Sequence, residues 1–157
     1  MRMSILLTGL GLVAGHAVAE VRGEEFVIGD QLVRIEVVDP VEVMSIGPSP
    51  DDRTQVLSGP DIEIVGVLTD DAALQMLGMP VLVVVVPGTH SCENLGDPLA
   101  YHVVTLGKDL VTDGPLTTCV ELSVSATPGA VVLAEDPMGD GESWTWTPVQ
   151  GWSRTAG

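Results

Sequence analysis

Pro80-Val81-Leu82-Val83-Val84-Val85-Val86-Pro87 is the stretch that decides the fold. Six consecutive apolar residues, five of them valine, lie between two prolines. Valine is stiff at χ1 and crowds the turns of a helix, but it fits a pleated surface well. A run this short and this free of polar alternation predicts a strand covered on both faces. The chain carries 25 valines, gathered in similar short runs between Gly and Pro turns. That is the pattern of a mainly β protein.

On the N-terminal side, Thr69 or Asp70 caps a short helix whose apolar face is Ala73, Leu74 and Leu77, and Gly78 with Pro80 stops it. Asp61 to Leu68 reads as a strand. Gly47-Pro48-Ser49-Pro50-Asp51-Asp52 reads as a loop and as the best candidate for an internal boundary. Phe26-Val27-Ile28 and Leu32 to Val38 flank Gly29-Asp30 as a hairpin. Asp39-Pro40 interrupts that pattern, and Val41-Glu42-Val43-Met44 resumes it.

On the C-terminal side, the loop Gly88 to Pro98 carries Cys92, and Tyr101 to Leu106 is a strand ending in the turn Gly107-Lys108-Asp109. Thr117 to Val124 alternates as a further strand. Pro128-Gly129 turns into Val131-Val132-Leu133, and Ser143 to Thr147 is the last strand before a loose tail at 151–157. The expected architecture is a single-domain β-sandwich or open barrel over residues 20–150, with one short helix and one disulfide.

Met1-Arg2-Met3-Ser4, the apolar run Ile5 to Ala14 and the small residues of Ala17-Val18-Ala19 form the three parts of a secretory signal peptide, residues 1–19. The run is shorter than the roughly 20 apolar residues that span a bilayer. The expectation is therefore a periplasmic or secreted chain, with no membrane insertion after cleavage.

The whole chain has 22 acidic and 6 basic residues, a formal charge of −16 and a pI near 4.1. Removing 1–19 takes away Arg2 and no acid, leaving Arg22, Arg34, Arg53, Lys108 and Arg154 against 22 carboxylates. Such a balance excludes nucleic acid and anionic membrane surfaces as partners, since both require a basic footprint. Disorder is excluded too: the chain is 45% hydrophobic with a mean hydropathy of +0.38. Only 3% of its residues are aromatic, so the core is aliphatic.

Cys92 and Cys119 are the only cysteines. In an oxidising compartment, without a C-x-x-C spacing, they are expected to form a structural disulfide. Gly88-Thr89-His90-Ser91-Cys92-Glu93 is the densest group of reactive side chains, but it lacks the Gly-x-Ser-x-Gly context of a serine nucleophile. No residue is assigned to catalysis and no cofactor is expected. His90 and His102, with Asp97, are candidates for a metal site, though no H-x-H or H-E-x-x-H spacing accompanies them. His102 is expected to be exposed, opposite a buried Tyr101.

Asp136, Asp140 and Glu142 resemble part of a calcium loop, but Met138 and Thr147 stand where that pattern needs acids. A Gly-rich acidic turn is the expected structure there. Trp144, Trp146 and Trp152 hold three of the five aromatic side chains. They either close one end of the core or present an exposed platform for sugar or for a protein partner.

Cys92, Tyr101-His102-Val103-Val104-Thr105, a Gly turn, Thr118-Cys119 and the strand Trp144-Thr145-Trp146 resemble small secreted β-rich proteins of Gram-negative bacteria with one disulfide. The resemblance covers roughly residues 80–150. It implies a periplasmic location and carries over no catalytic residue. The function expected is that of a non-enzymatic, acidic envelope domain binding a basic protein. The alternatives are an enzyme or metal carrier using His90 and His102, or an acidic domain without a specific partner, whose charge serves solubility.

Overall fold

The computed structural model describes residues 24–93, 96–135 and 141–155. Twelve strands and one helix occur among them. The protein is mainly β, and its strands form three four-stranded antiparallel sheets, none of which closes into a barrel. The chain divides into two compact units at Ile62/Glu63. The division does not fall at Gly47–Asp52, where the sequence suggests one.

The first unit is a meander of β1 (Glu25–Ile28), β2 (Gln31–Val38), β3 (Val41–Ser49) and β4 (Asp52–Gly59). Period-2 alternation divides its faces. Val33 and Ile35 pair with Ile46 and Met44 and are buried. Glu25, Arg34 and Ser45 lie in one cross-strand row on the other face. The segment expected to be a loop is instead a hairpin, in which only Pro50 and Asp51 connect β3 to β4. Gly47 sits inside β3 because a Cβ there would lie 1.8 Å from the Asp52 carbonyl oxygen. It marks a close backbone approach at a register irregularity and not a break.

The second unit begins with β5 (Glu63–Leu68) and helix α1 (Asp71–Leu77). Asp70 caps the helix, accepting the Ala73 N–H at 2.7 Å, and Gly78 ends it in the left-handed region at φ 76°. β6 (Val81–Pro87) then pairs with β5 and with β7 (Leu99–Leu106), and β8 (Leu110–Thr118) completes that sheet. All six residues Val81 to Val86 are buried, as the opening stretch predicts for a strand covered on both faces.

β9 (Ser123–Thr127), β10 (Ala130–Ala134), β11 (Ser143–Thr147) and β12 (Gly151–Thr155) form the third sheet. Val81, Val83, Val85, Tyr101 and Val103 pack against Leu122, Val131, Leu133 and Trp146, so the two sheets of this unit make a sandwich. Two expectations are corrected here. Thr117–Val124 is not one strand: β8 ends at Thr118, β9 starts at Ser123, and Cys119 to Leu122 connect them. Residues 151–155 are not a loose tail: β12 is hydrogen-bonded in register along β11.

Candidate functional site

Strand order brings the reactive loop to its partner. In the β5–β8 sheet, Pro87 pairs with Leu99 and Leu99 with Thr118, so the end of β6, the start of β7 and the end of β8 share one edge. The connection 88–98 and Cys119 are therefore neighbours. Cys92 and Cys119 form the expected disulfide, with an S–S distance of 1.99 Å and Cα atoms 5.6 Å apart. Across their separation of 27 residues, the chain-entropy model gives about 3.5 kcal/mol of stabilisation.

His90 lies against this bond. Its Nε2 is 2.8 Å from the carbonyl oxygen of Thr118. A carbonyl only accepts, so Nε2 carries the proton and donates it, leaving the free lone pair on Nδ1. Nδ1 is buried without a hydrogen-bond partner. Gly88 makes room for the ring: a Cβ there would stand 2.7 Å from both Cε1 and Nδ1 of His90. Cys92 Sγ is 4.0 Å from the same Thr118 oxygen, a contact and not a hydrogen bond, since a disulfide sulfur has no proton. No hydrogen bond among the described residues joins Ser91 to His90, so the pair lacks the nucleophile–base contact that serine chemistry requires.

One ring nitrogen of His90 and the Sγ atoms of Cys92 and Cys119 lie within 4.8 Å of one another. This is the one group of three or more such donors among the described residues, and neither His102 nor Asp97 belongs to it. His102 occupies β7 opposite Val84, on the other face from Tyr101. It is half-buried, not exposed as the alternation suggests, and burial lowers its pKa below the usual 6.5. Gly114 of β8 opens the space: a Cβ there would lie 2.8 Å from His102 Nδ1.

The three tryptophans face the core. Trp146 pairs with Val131 on one side and Trp152 on the other, while Trp144 pairs with Leu133. All three thus share the inner face of the third sheet. Trp146 is 3% exposed, which removes it from any exposed platform. Trp144 and Trp152 are half-buried against the same cluster. The Trp146 indole N–H donates to Asp113 Oδ2 at 2.8 Å, tying β11 to β8. Asp113 shares the row of Val103, so this carboxylate sits at the margin of the inner face. Nothing in the sequence around Asp113 marks this carboxylate, because its role depends on where Trp146 points. Gly114 at φ 148° carries the chain through that point inside β8.

Of the calcium-loop candidates, Asp136 and Asp140 lie outside the described residues. Glu142 forms an ion pair with Arg154, and its backbone N–H donates to Glu135 Oε2 at 3.1 Å. In the first unit Arg34 pairs with Glu25 at 2.5 Å and Glu36 at 2.9 Å, and Arg53 reaches Glu36 at 3.3 Å. The ion pairs therefore engage Arg34, Arg53 and Arg154. With five cations against 22 acids after residue 19, internal pairing neutralises a small part of the charge. Exposed acids gather at strand ends. Asp30, Asp51 and Asp52 stand at the turns that share one end of the first sheet, and Glu93, Asp97 and Glu121 flank the disulfide edge of the second unit.

No helix among the described residues is long and apolar enough to cross a membrane. Comparison with models of known protein families, with curated proteins and with solved structures finds no match to this chain.

Proposed function

We propose that the chain is an exported, acidic β-domain of the cell envelope that acts by binding a cationic protein, without catalysis. The observation that carries this reading is the charge left after internal pairing. Arg34, Arg53 and Arg154 are engaged by acids of this same chain, while acids at the strand ends stand exposed. Carboxylates at turns project from the rigid ends of sheets, and their field reaches about 8–10 Å at physiological salt. Such a field favours association rate and salt sensitivity over affinity. The reactive groups support no catalytic assignment: His90 hydrogen-bonds a backbone carbonyl, and no hydrogen bond among the described residues joins it to Ser91.

The test is retention of basic envelope proteins on the immobilised protein at low ionic strength, repeated with Asp30, Asp51 and Asp52 changed to Asn. The expected result is a captured basic protein that elutes as salt is raised and is held less by the triple variant. Recovery of nothing at low salt, or retention insensitive to salt and to the substitutions, overturns the proposal.

A further inference from the structure

We propose that Cys92, Cys119 and His90 form a masked site for a thiophilic divalent cation of the zinc class, closed by the disulfide and opened when that bond is reduced. The inference is independent of the acidic surface. Its first support is proximity: one nitrogen and two sulfurs within 4.8 Å of one another. Around a tetrahedral zinc, with bonds of about 2.0–2.3 Å, such donors sit about 3.5–3.8 Å apart. Two thiolates and an imidazole are also the donor types that zinc selects over calcium or magnesium.

The second support is the state of the imidazole. The Nε2–H bond to the Thr118 carbonyl is the outer contact that fixes tautomer and orientation in metal-binding histidines. The other nitrogen, Nδ1, is buried and has no hydrogen-bond partner. A buried acceptor left unpaired is destabilising, and a cation on that lone pair would remove the cost. Thr118 is also the residue before Cys119, so the Nε2 bond holds His90 beside that cysteine whether or not the sulfurs are joined. Nδ1 faces Gly88 while the sulfurs are joined, and the proposed site forms when release of the loop at Cys92 brings the thiolates to it.

The redox step balances with a dithiol reductant. A thiolate of the reductant attacks one sulfur of the Cys92–Cys119 bond, which breaks and leaves the other sulfur as a thiolate. The second thiol of the reductant then resolves the mixed disulfide. Two electrons have moved, the reductant is a disulfide, and Cys92 and Cys119 are thiols. Binding of the cation displaces one proton from each thiol, while the imidazole binds neutral.

The test uses Co²⁺ as a spectroscopic probe on the purified protein, oxidised or reduced with a phosphine under inert gas. Far-UV circular dichroism is recorded on the same samples. The reduced protein is expected to bind one equivalent of Co²⁺, with a thiolate-to-cobalt charge-transfer band and the strong visible bands of tetrahedral coordination. The oxidised protein should show neither. His90→Ala should weaken binding at least about tenfold and alter the visible bands. Gly88→Ala, which displaces the ring and keeps every ligand, should weaken it as well. A reduced protein without the charge-transfer band overturns the site. So does equal Co²⁺ affinity with and without His90, whether the reduced chain is folded or unfolded.

Discussion

Tyr101 offers a sharp test of how the second unit holds together. It is the single tyrosine of the chain and is 2% exposed. Its hydroxyl oxygen accepts the backbone N–H of Leu122 at 2.9 Å, pinning the connection after Cys119 to the core. Tyr101→Phe keeps the ring's packing and leaves that amide buried without a partner. An unpaired buried donor costs about 1–3 kcal/mol, a large share of the 5–15 kcal/mol typical of a folded domain. In urea the unfolding midpoint should fall by about 1 M with an unchanged slope. A loss below about 0.5 kcal/mol would refute the reasoning, because the Leu122 amide would then be reaching water. Ionisation gives an independent check. Burial raises the Tyr101 pKa above its ordinary 10.0, outweighing the Leu122 N–H, which lowers it. The neutral phenol is the form the fold favours. Its contribution is therefore complete below the unfolded value and is lost as pH rises through the folded one. With one tyrosine, the phenolate absorbance reports this group alone. Its midpoint should lie higher in the native protein than in urea, and the alkaline loss of stability should shrink in Tyr101→Phe. Coincident midpoints would contradict the burial argument.

Two further outcomes follow from the same unit. Burial holds the His102 pKa below 6.5, so its contribution is present above that value and lost as pH falls below it. Melting temperature should drop on acidification, and His102→Gln should flatten the drop; identical slopes would place the ring in water. Trp152 packs against the core from β12, so deleting 151–157 should cost on the order of 3 kcal/mol, the scale of removing a buried tryptophan. A truncated protein that melts with the full chain would return this segment to the status of a tail.

Where one local rule acts alone, the chain is legible. Val81 to Val86 has no competing period, Asp70 and Gly78 bracket α1, and the hairpin around Gly29-Asp30 carries its own turn. The Cys92–Cys119 bond is readable because only two cysteines exist. Reading fails where tertiary contact overrides a breaker. Gly47, in a segment that reads as a loop, lies inside a strand against the Asp52 carbonyl, and Gly114 lies inside another against His102. β12 is hidden because Gly151-Trp152-Ser153-Arg154-Thr155 has little alternation of its own and is held by pairing with β11. For the candidate site, the loop 88–98 is conspicuous in the sequence. That His90 belongs with Cys119 is not, because the two meet only through the order of strands. Asp113 is missed for a related reason: a carboxylate on an inner face makes sense only once Trp146 is known to point at it.

Each of the three sheets is built from four strands that are consecutive in the chain: β1 to β4, β5 to β8, and β9 to β12. No strand waits for a partner from a distant part of the sequence. Loop closure during folding is therefore short-range, which in small proteins goes with fast folding even in all-β structures. A chain delivered N-terminus first can complete each sheet as soon as its fourth strand is available. Side-chain hydrogen bonds then link the second sheet to the third sheet and its lead-in: Tyr101 to Leu122 and Asp113 to Trp146. They fasten together two sheets that are each complete in their own strand pairing.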